Sequence, residues 1–231
     1  MRSEGALARL AEVAARAKPV ALAREQVLPV LPALGALLPD GLRRGSTVAV
    51  GGSTSLALAL VAGPAGAGSW VAGIGVSSLG LVAAAELGVP LDRLVLVADP
   101  PAPSWGTIVA TLVDAFDVVL VRARRVGASD ARRLTARARE RGAVLVLLGD
   151  EAAAWPEAPD VRLRIADAQW QGLGEGHGHL RSRRVQVEVD GRRGAARPRR
   201  AWLWLPAAGG GVEAAEPLAE VRPLLRARTA S

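Results

Sequence analysis

Five short apolar runs occupy the middle of the chain, TVAV (47–50), WVAGI (70–74), LVLVA (94–98), VVLV (118–121) and VLVLL (144–148), and none of them alternates with polar residues. A strand with one wet face alternates, whereas a strand covered on both faces reads as a continuous apolar run. Segments with apolar residues at helical spacing separate the runs, over 53–62, 79–87, 105–115 and 129–141. Buried strands alternating with helices build a mostly parallel sheet wrapped on both sides, so the fold class is α/β. After Asp150 the period changes to two, over 161–165, 183–189 and 201–205, with Asp190-Gly191 placed where a hairpin turn would fall. That pattern adds an antiparallel extension to the parallel sheet.

The flanks read differently. Residues 4–17 carry an apolar stripe at helical spacing, with Leu7, Leu10 and Val13 on it, and the helix ends before Pro19. A narrow stripe on a helix outside the main repeat needs a partner surface, so segment 1–18 is expected to serve oligomerisation. The main domain then spans 19–206, with GLGEGHGH (172–179) as a flexible loop in its extension. Residues 207–231, with a Gly-Gly-Gly run and scattered prolines, read as a flexible tail.

Composition excludes several chemistries. The chain has no cysteine, which removes disulfides, thiolate metal sites and cysteine nucleophiles together. Lys18 is the one lysine and lies in no glycine loop, so no phosphate-binding loop of the G-x-x-x-x-G-K-[ST] form exists. His177 and His179 could share a metal with Glu175, but the glycines between them make an ordered ligand set costly, and no metal is expected. Serines such as Ser53, Ser55, Ser77 and Ser78 have no G-x-S-x-G elbow beside a base. No long apolar run and no apolar core near Met1 suggest a membrane span or leader, so a cytoplasmic location is expected, close to the nucleoid when the protein is active.

The net charge of +7 is carried by arginine, with clusters over 122–141 and 181–200. Clustered cations suit a polyanion or an acidic protein surface, and they equally suit a solvated face in an arginine-rich chain. Trp202 and Trp204 share one face of the last expected strand beside Arg199 and Arg200, with Arg197 just before them. Tryptophan and arginine together dominate many interfaces, so these five residues are the candidate partner-binding set.

The stretch VAVGGSTSLALAL (48–60) starts as a nucleotide loop starts, with a strand, two glycines, three hydroxyl residues and a helix. In order and spacing, residues 34–205 resemble the RecA-like recombinase core and, more closely, its degenerate relatives: the ImuA-type accessory proteins of bacterial mutagenic translesion synthesis, and SulA-like proteins. PDGLRRGSTVAVGG resembles the lead-in and first strand of that core. SWVAGIGVSSLGLVAAAELGVPLDRLVLV resembles its second strand and following helix, FDVVLVRAR its Walker B strand, and VRLRIADAQWQGLGEGHGHLRSRRVQVEV its later antiparallel strands.

The resemblance implies a degenerate nucleotide site at Gly51, Gly52, Ser53, Val76 and Arg122. The loop lysine falls near Ser53, the water-activating glutamate at Val76 and the Walker B aspartate at Arg122. All three chemical groups are lost, and the DNA-contacting loop of a recombinase shrinks to GDEAAAWPEAP (149–159). It therefore implies a protein without ATPase activity and without a cofactor. Its partners would be a Y-family polymerase-like protein and an error-prone replicative-type polymerase, with homo-oligomerisation and weak DNA contact besides. Two other classes share these features, a SulA-like inhibitor of cell division and an ATP-independent DNA-binding module.

Overall fold

The computed structural model describes residues 26–122, 124, 126–149, 155–173, 177–192 and 195–216. Segment 1–18, with Leu7, Leu10 and Val13, lies outside the described residues, as do 217–231. The five apolar runs form strands β3 (Thr47–Val50), β4 (Val71–Ile74), β5 (Leu94–Val97), β6 (Val118–Arg122) and β7 (Val144–Leu148), all parallel. Strands β8 (Val161–Leu173), β9 (Gly178–Gly191), β10 (Arg199–Trp204) and β11 (Glu213–Ala215) continue the sheet. β8 runs parallel to β3, and each later strand is antiparallel to its neighbour. The order across the sheet is β11-β10-β9-β8-β3-β7-β6-β4-β5. A small ribbon of β1 (Val27–Leu28) and β2 (Leu42–Arg43) leads in.

Alternate side chains of the parallel strands enter two separate cores, which is why their sequences do not alternate. Val48, Val50, Val71, Leu120 and Val146 face helix α1 (Thr54–Gly66), helix α2 (Leu81–Glu86) and the lead-in. Ala49, Ile74, Val119, Val121 and Leu147 face helices α3 (Ala102–Ala115) and α4 (Ala128–Arg141). α1 is apolar all round, and Leu56 to Ala62 are all buried, the state such a helix requires. It lies between the sheet and the lead-in, whose Leu28, Leu34 and Leu37 belong to the same core. Gly63 permits this layer: a Cβ there would stand 2.7 Å from the Val30 Cα.

The antiparallel extension is longer and more ordered than its sequence suggests. Asp190 and Gly191 are not a turn. They pair with Arg162 and Val161 as the last residues of β9, and the chain re-enters the sheet only at Arg199. Glycine is needed at 191, since φ is +150° and a Cβ would meet the Asp160 carbonyl oxygen at 2.2 Å. The glycine-rich loop is also narrower, because Gly172 and Leu173 end β8 while Gly178 and His179 begin β9. Residues 207–216, the start of the expected tail, carry a turn and β11. The Gly211 amide donates to the Glu86 carbonyl at 2.7 Å, which ties the Gly-Gly-Gly run to α2.

Two buried carboxylates lock the N-terminal edge of the sheet. Asp117 accepts from Arg44 Nη1 at 2.8 Å and from the Trp70 amide at 3.0 Å. Asp160 accepts from the Thr47 amide at 3.0 Å, fixing the start of β8 beside β3. A third carboxylate, Asp114 on α3, holds α4: it takes a two-pronged bond from Arg137 and a further one from Arg141 at 3.1 Å. The Arg137 bond, opposed by desolvation and aided by both guanidinium charges, keeps the Asp114 carboxyl below its ordinary value.

A depressed carboxyl contributes stability above its unfolded pKa of about 3.9 and loses it as pH falls through the folded value. Asp114→Asn should therefore cost about 1 kcal/mol in urea denaturation at neutral pH, since the pair is largely solvated. The difference from the parent should vanish in acid. A difference unchanged in acid would mean that the carboxylate charge is not what holds α4.

Candidate functional site

Open α/β sheets present their sites at the carboxyl ends of the parallel strands, and the residues carried over from the resemblance gather there. β3, β7 and β6 end level, with Val50 opposite Leu148 and Leu148 opposite Arg122, while Ile74 ends β4 opposite Val121. Each carried-over position has taken a structural task.

Gly51 donates its amide to the Leu163 carbonyl at 2.9 Å, and Gly52 turns the chain at φ +55°. Ser53 caps α1, with its Oγ accepting from the Leu56 amide at 3.2 Å. A serine there gives the cap but no cation for a phosphate. Val76 is 1% exposed and packs in the core that α1 and α2 share. Arg122 extends from the end of β6, with Nε donating to the Gly75 carbonyl at 3.0 Å and Nη2 to Ser78 Oγ at 3.4 Å. It ties down the loop after β4, and beside it Arg124 lies 3.9 Å from Asp99 and 5.7 Å from the Trp105 ring. At this edge the carried-over position thus presents a guanidinium, with the Asp99 carboxylate beside the same loop.

An open cleft of about 690 Å³ remains at this edge. Gly51 to Ser55 form one wall, while Arg164 to Ala168 of β8 and Arg183 of β9 form the other. The sequence gives little sign of the two arginines' role, because the register that brings them to the loop is set by the β8–β9 hairpin.

The candidate partner-binding residues are divided by the sheet. Leu203 is fully buried in the first core, so β10 turns Arg199 to that side, where it donates to the Leu37 carbonyl at 3.4 Å. There it lines a second cleft, of about 550 Å³, with Arg43, Arg44 and Asp160. Arg200, Trp202 and Trp204 lie on the opposite, solvent-facing side; Arg197 is exposed before the strand begins. Arg199 therefore does not join the tryptophans, since strand side chains alternate and 199 and 202 differ in parity.

The tryptophan face is itself built. Arg200 Nε lies 2.7 Å from Glu188, which also takes Arg164, and the Arg184 guanidinium stands 4.5 Å from the centre of the Trp202 ring. Both tryptophans are half-buried. His177 and His179 stand at the start of β9, and among the described residues no cluster of three metal-ligating side chains occurs. Nor, among these residues, is any helix long and apolar enough to cross a membrane.

Sheet order, the glycine turn into α1 and the antiparallel extension define a RecA-like α/β protein. The crystal structure of the RadB recombinase shares this fold, with a TM-score of 0.57 at 14% identity, over 80% of this chain and 97% of that one. By sequence the chain belongs to the MT3502 N-terminal domain family, which matches residues 36–157. It is also 33% identical over 144 residues to the uncharacterized protein Rv3395c of Mycobacterium tuberculosis (strain ATCC 25618 / H37Rv). That match spans 60% of this chain and 61% of the relative's length.

Proposed function

We propose that the protein is a non-catalytic RecA-like accessory in damage-induced mutagenic translesion DNA synthesis. In this reading it bridges an inactive Y-family polymerase-like protein and an error-prone replicative-type polymerase, and it neither hydrolyses ATP nor needs a cofactor. The observation that carries the reading is Arg122. A guanidinium bonded to Gly75 and Ser78 occupies the place of a metal-supporting carboxylate, so the RecA-like scaffold is kept while its chemistry is replaced by a structural tie. What a scaffold without that chemistry retains is surface, and the ImuA-type resemblance supplies the partners.

The half-buried Trp202 and Trp204, with Arg200 and Arg197, are the proposed contact. Removing residues 197–231 would be a poor test, because it deletes β10 and β11 from the sheet. Trp202→Ala with Trp204→Ala is the better variant, read by capture of the polymerase-like protein in a pull-down. Capture by the parent should survive moderate salt, as an aromatic-anchored interface does, and the double variant should lose it by tenfold or more, about 1.4 kcal/mol. Full capture by a correctly folded double variant would place the interface elsewhere. Capture lost steeply with salt would indicate phosphate contacts instead.

A further inference from the structure

The distal half of the β8–β9 hairpin leaves the body of the protein. β3 pairs with β8 only from Val161 to Leu163, and a register irregularity follows between Ile165 and Asp167. From Ala166 to Leu173 every residue of β8 is exposed, and so is β9 from Gly178 to Arg181. The outer edge of β8 has no strand beside it there among the described residues, so its backbone groups that do not face β9 are open to a further strand, apart from the Ala168 amide, which the Asp167 carboxylate takes. Trp170, Leu173 and Leu180 on this arm are 46%, 64% and 50% exposed. A two-stranded ribbon is marginal in water by itself, and three large exposed apolar side chains on it favour a covering partner.

Around this edge two arginines outweigh one exposed carboxylate, Asp167. Arg181 and Arg183 have no carboxylate partner among the described residues. Arg183 lies directly across from Trp170, its guanidinium 5.6 Å from the ring centre, and its buried Nε has no hydrogen-bond partner. It reaches the cleft at the base of the arm, which is walled by Ser53, Thr54 and Ser55 at the positive end of α1. Arg164, in the same wall, is held by Glu188. The acid in that wall, Asp167, turns its carboxylate to its own chain and accepts from the Ala168 amide at 2.8 Å.

We propose that the free edge of β8 over 166–172, with the cleft at its base, is a strand-addition site for an extended acidic peptide segment of a partner protein. The added strand pairs with the open backbone of β8, its apolar side chains cover Trp170 and its neighbours, and its carboxylates meet Arg183, Arg181 and the α1 N-terminus. A nucleic acid fits less well. Phosphates cannot use an open row of alternating donors and acceptors, and two unpaired arginines give little counterion release. The site is separate from the Trp202 and Trp204 face and holds whether or not the partner is a polymerase.

The test uses the full chain and three fluorescein-labelled probes. One is a peptide of about ten residues alternating glutamate with valine or leucine, enough to span the edge at roughly 3.3 Å per residue. The second has lysine in place of glutamate, and the third is single-stranded oligothymidylate. The acidic peptide should bind saturably by anisotropy, at least about tenfold tighter than the basic one. Arg181→Glu with Arg183→Glu, or Trp170→Ala alone, should weaken it by about tenfold, a loss of about 1.4 kcal/mol. Hydrogen exchange on the parent, which needs no variant to fold, should show new protection within 166–172 when the acidic peptide is bound.

Absence of saturable binding, equal binding of the basic peptide, or binding without protection of 166–172 would each overturn the proposal. Displacement of the peptide by oligothymidylate would assign the arm to nucleic acid. A dimer by light scattering with 166–172 already protected would assign the edge to a second copy of this chain.

Discussion

Asp117→Ala should lower the unfolding free energy by about 2–4 kcal/mol, measured by urea denaturation at neutral pH. Asp117 sits just before β6 with its side chain 7% exposed, and its two oxygens serve two different strand entrances, Arg44 ahead of β3 and the Trp70 amide ahead of β4. Alanine leaves the Trp70 amide unsatisfied and a partly buried guanidinium without its counter-charge. Each is costlier than the loss of a surface contact. Arg44 retains a quarter of its exposure, which keeps the expectation below that for a fully buried pair. Asp117→Asn keeps an acceptor and should lose roughly half as much. A loss under about 1 kcal/mol for alanine would show that solvent replaces both partners.

Val76→Glu should cost a similar amount, about 3 kcal/mol or more, and should give no ATP turnover. Glutamate is the residue that the resemblance to the RecA-like core would place at that position. The loop after β4 buries position 76, with Val76 Cγ2 only 2.8 Å from where a Gly73 Cβ would stand. A carboxylate there must either stay protonated in an apolar core or pull the loop outward, breaking the Arg122 ties to Gly75 and Ser78. Neither outcome assembles a site, because Ser53 supplies only a cap. The measurements are thermal unfolding and phosphate release with ATP and magnesium, on the parent and the variant together. A variant as stable as the parent that turns over ATP would show that position 76 opens toward a nucleotide.

The parallel half of the sheet is legible in the sequence because burial on both faces writes itself as unbroken apolar runs, and strands 47–50 and 144–148 match to the residue. α1 runs four residues past its expected end at 62, to Gly66, with Pro64 in its last turn, where a proline ordinarily argues for a stop. The extension was harder to read for a specific reason. Asp-Gly is a strong hairpin signal, but here Asp190 pairs with Arg162 and Gly191 is required by the approach of the Asp160 backbone. The same residue types satisfy a turn and a close backbone contact, and sequence alone does not separate them.

For the candidate site, residue type alone shows that positions 53, 76 and 122 carry no lysine, glutamate or aspartate. It does not show the tasks those positions now perform, since a cap, a core contact and a loop tie depend on neighbours from other strands. Arg199 shows the same limit: adjacent in sequence to Arg200, it faces the other side of the sheet.

The sandwiched position of α1 also sets where the protein can be cut. The family match begins at residue 36, yet Leu28 and Leu34 are part of the layer that covers the helix's outer side. A fragment designed to the family boundary would lose Leu28, Val30, Leu31 and Leu34 from that cover and expose part of an all-apolar helix to water. Its recombinant yield would then reflect the boundary chosen more than the domain. An expression fragment therefore needs to start no later than Gln26, whose carbonyl accepts from the Arg44 amide at 2.9 Å just ahead of β1.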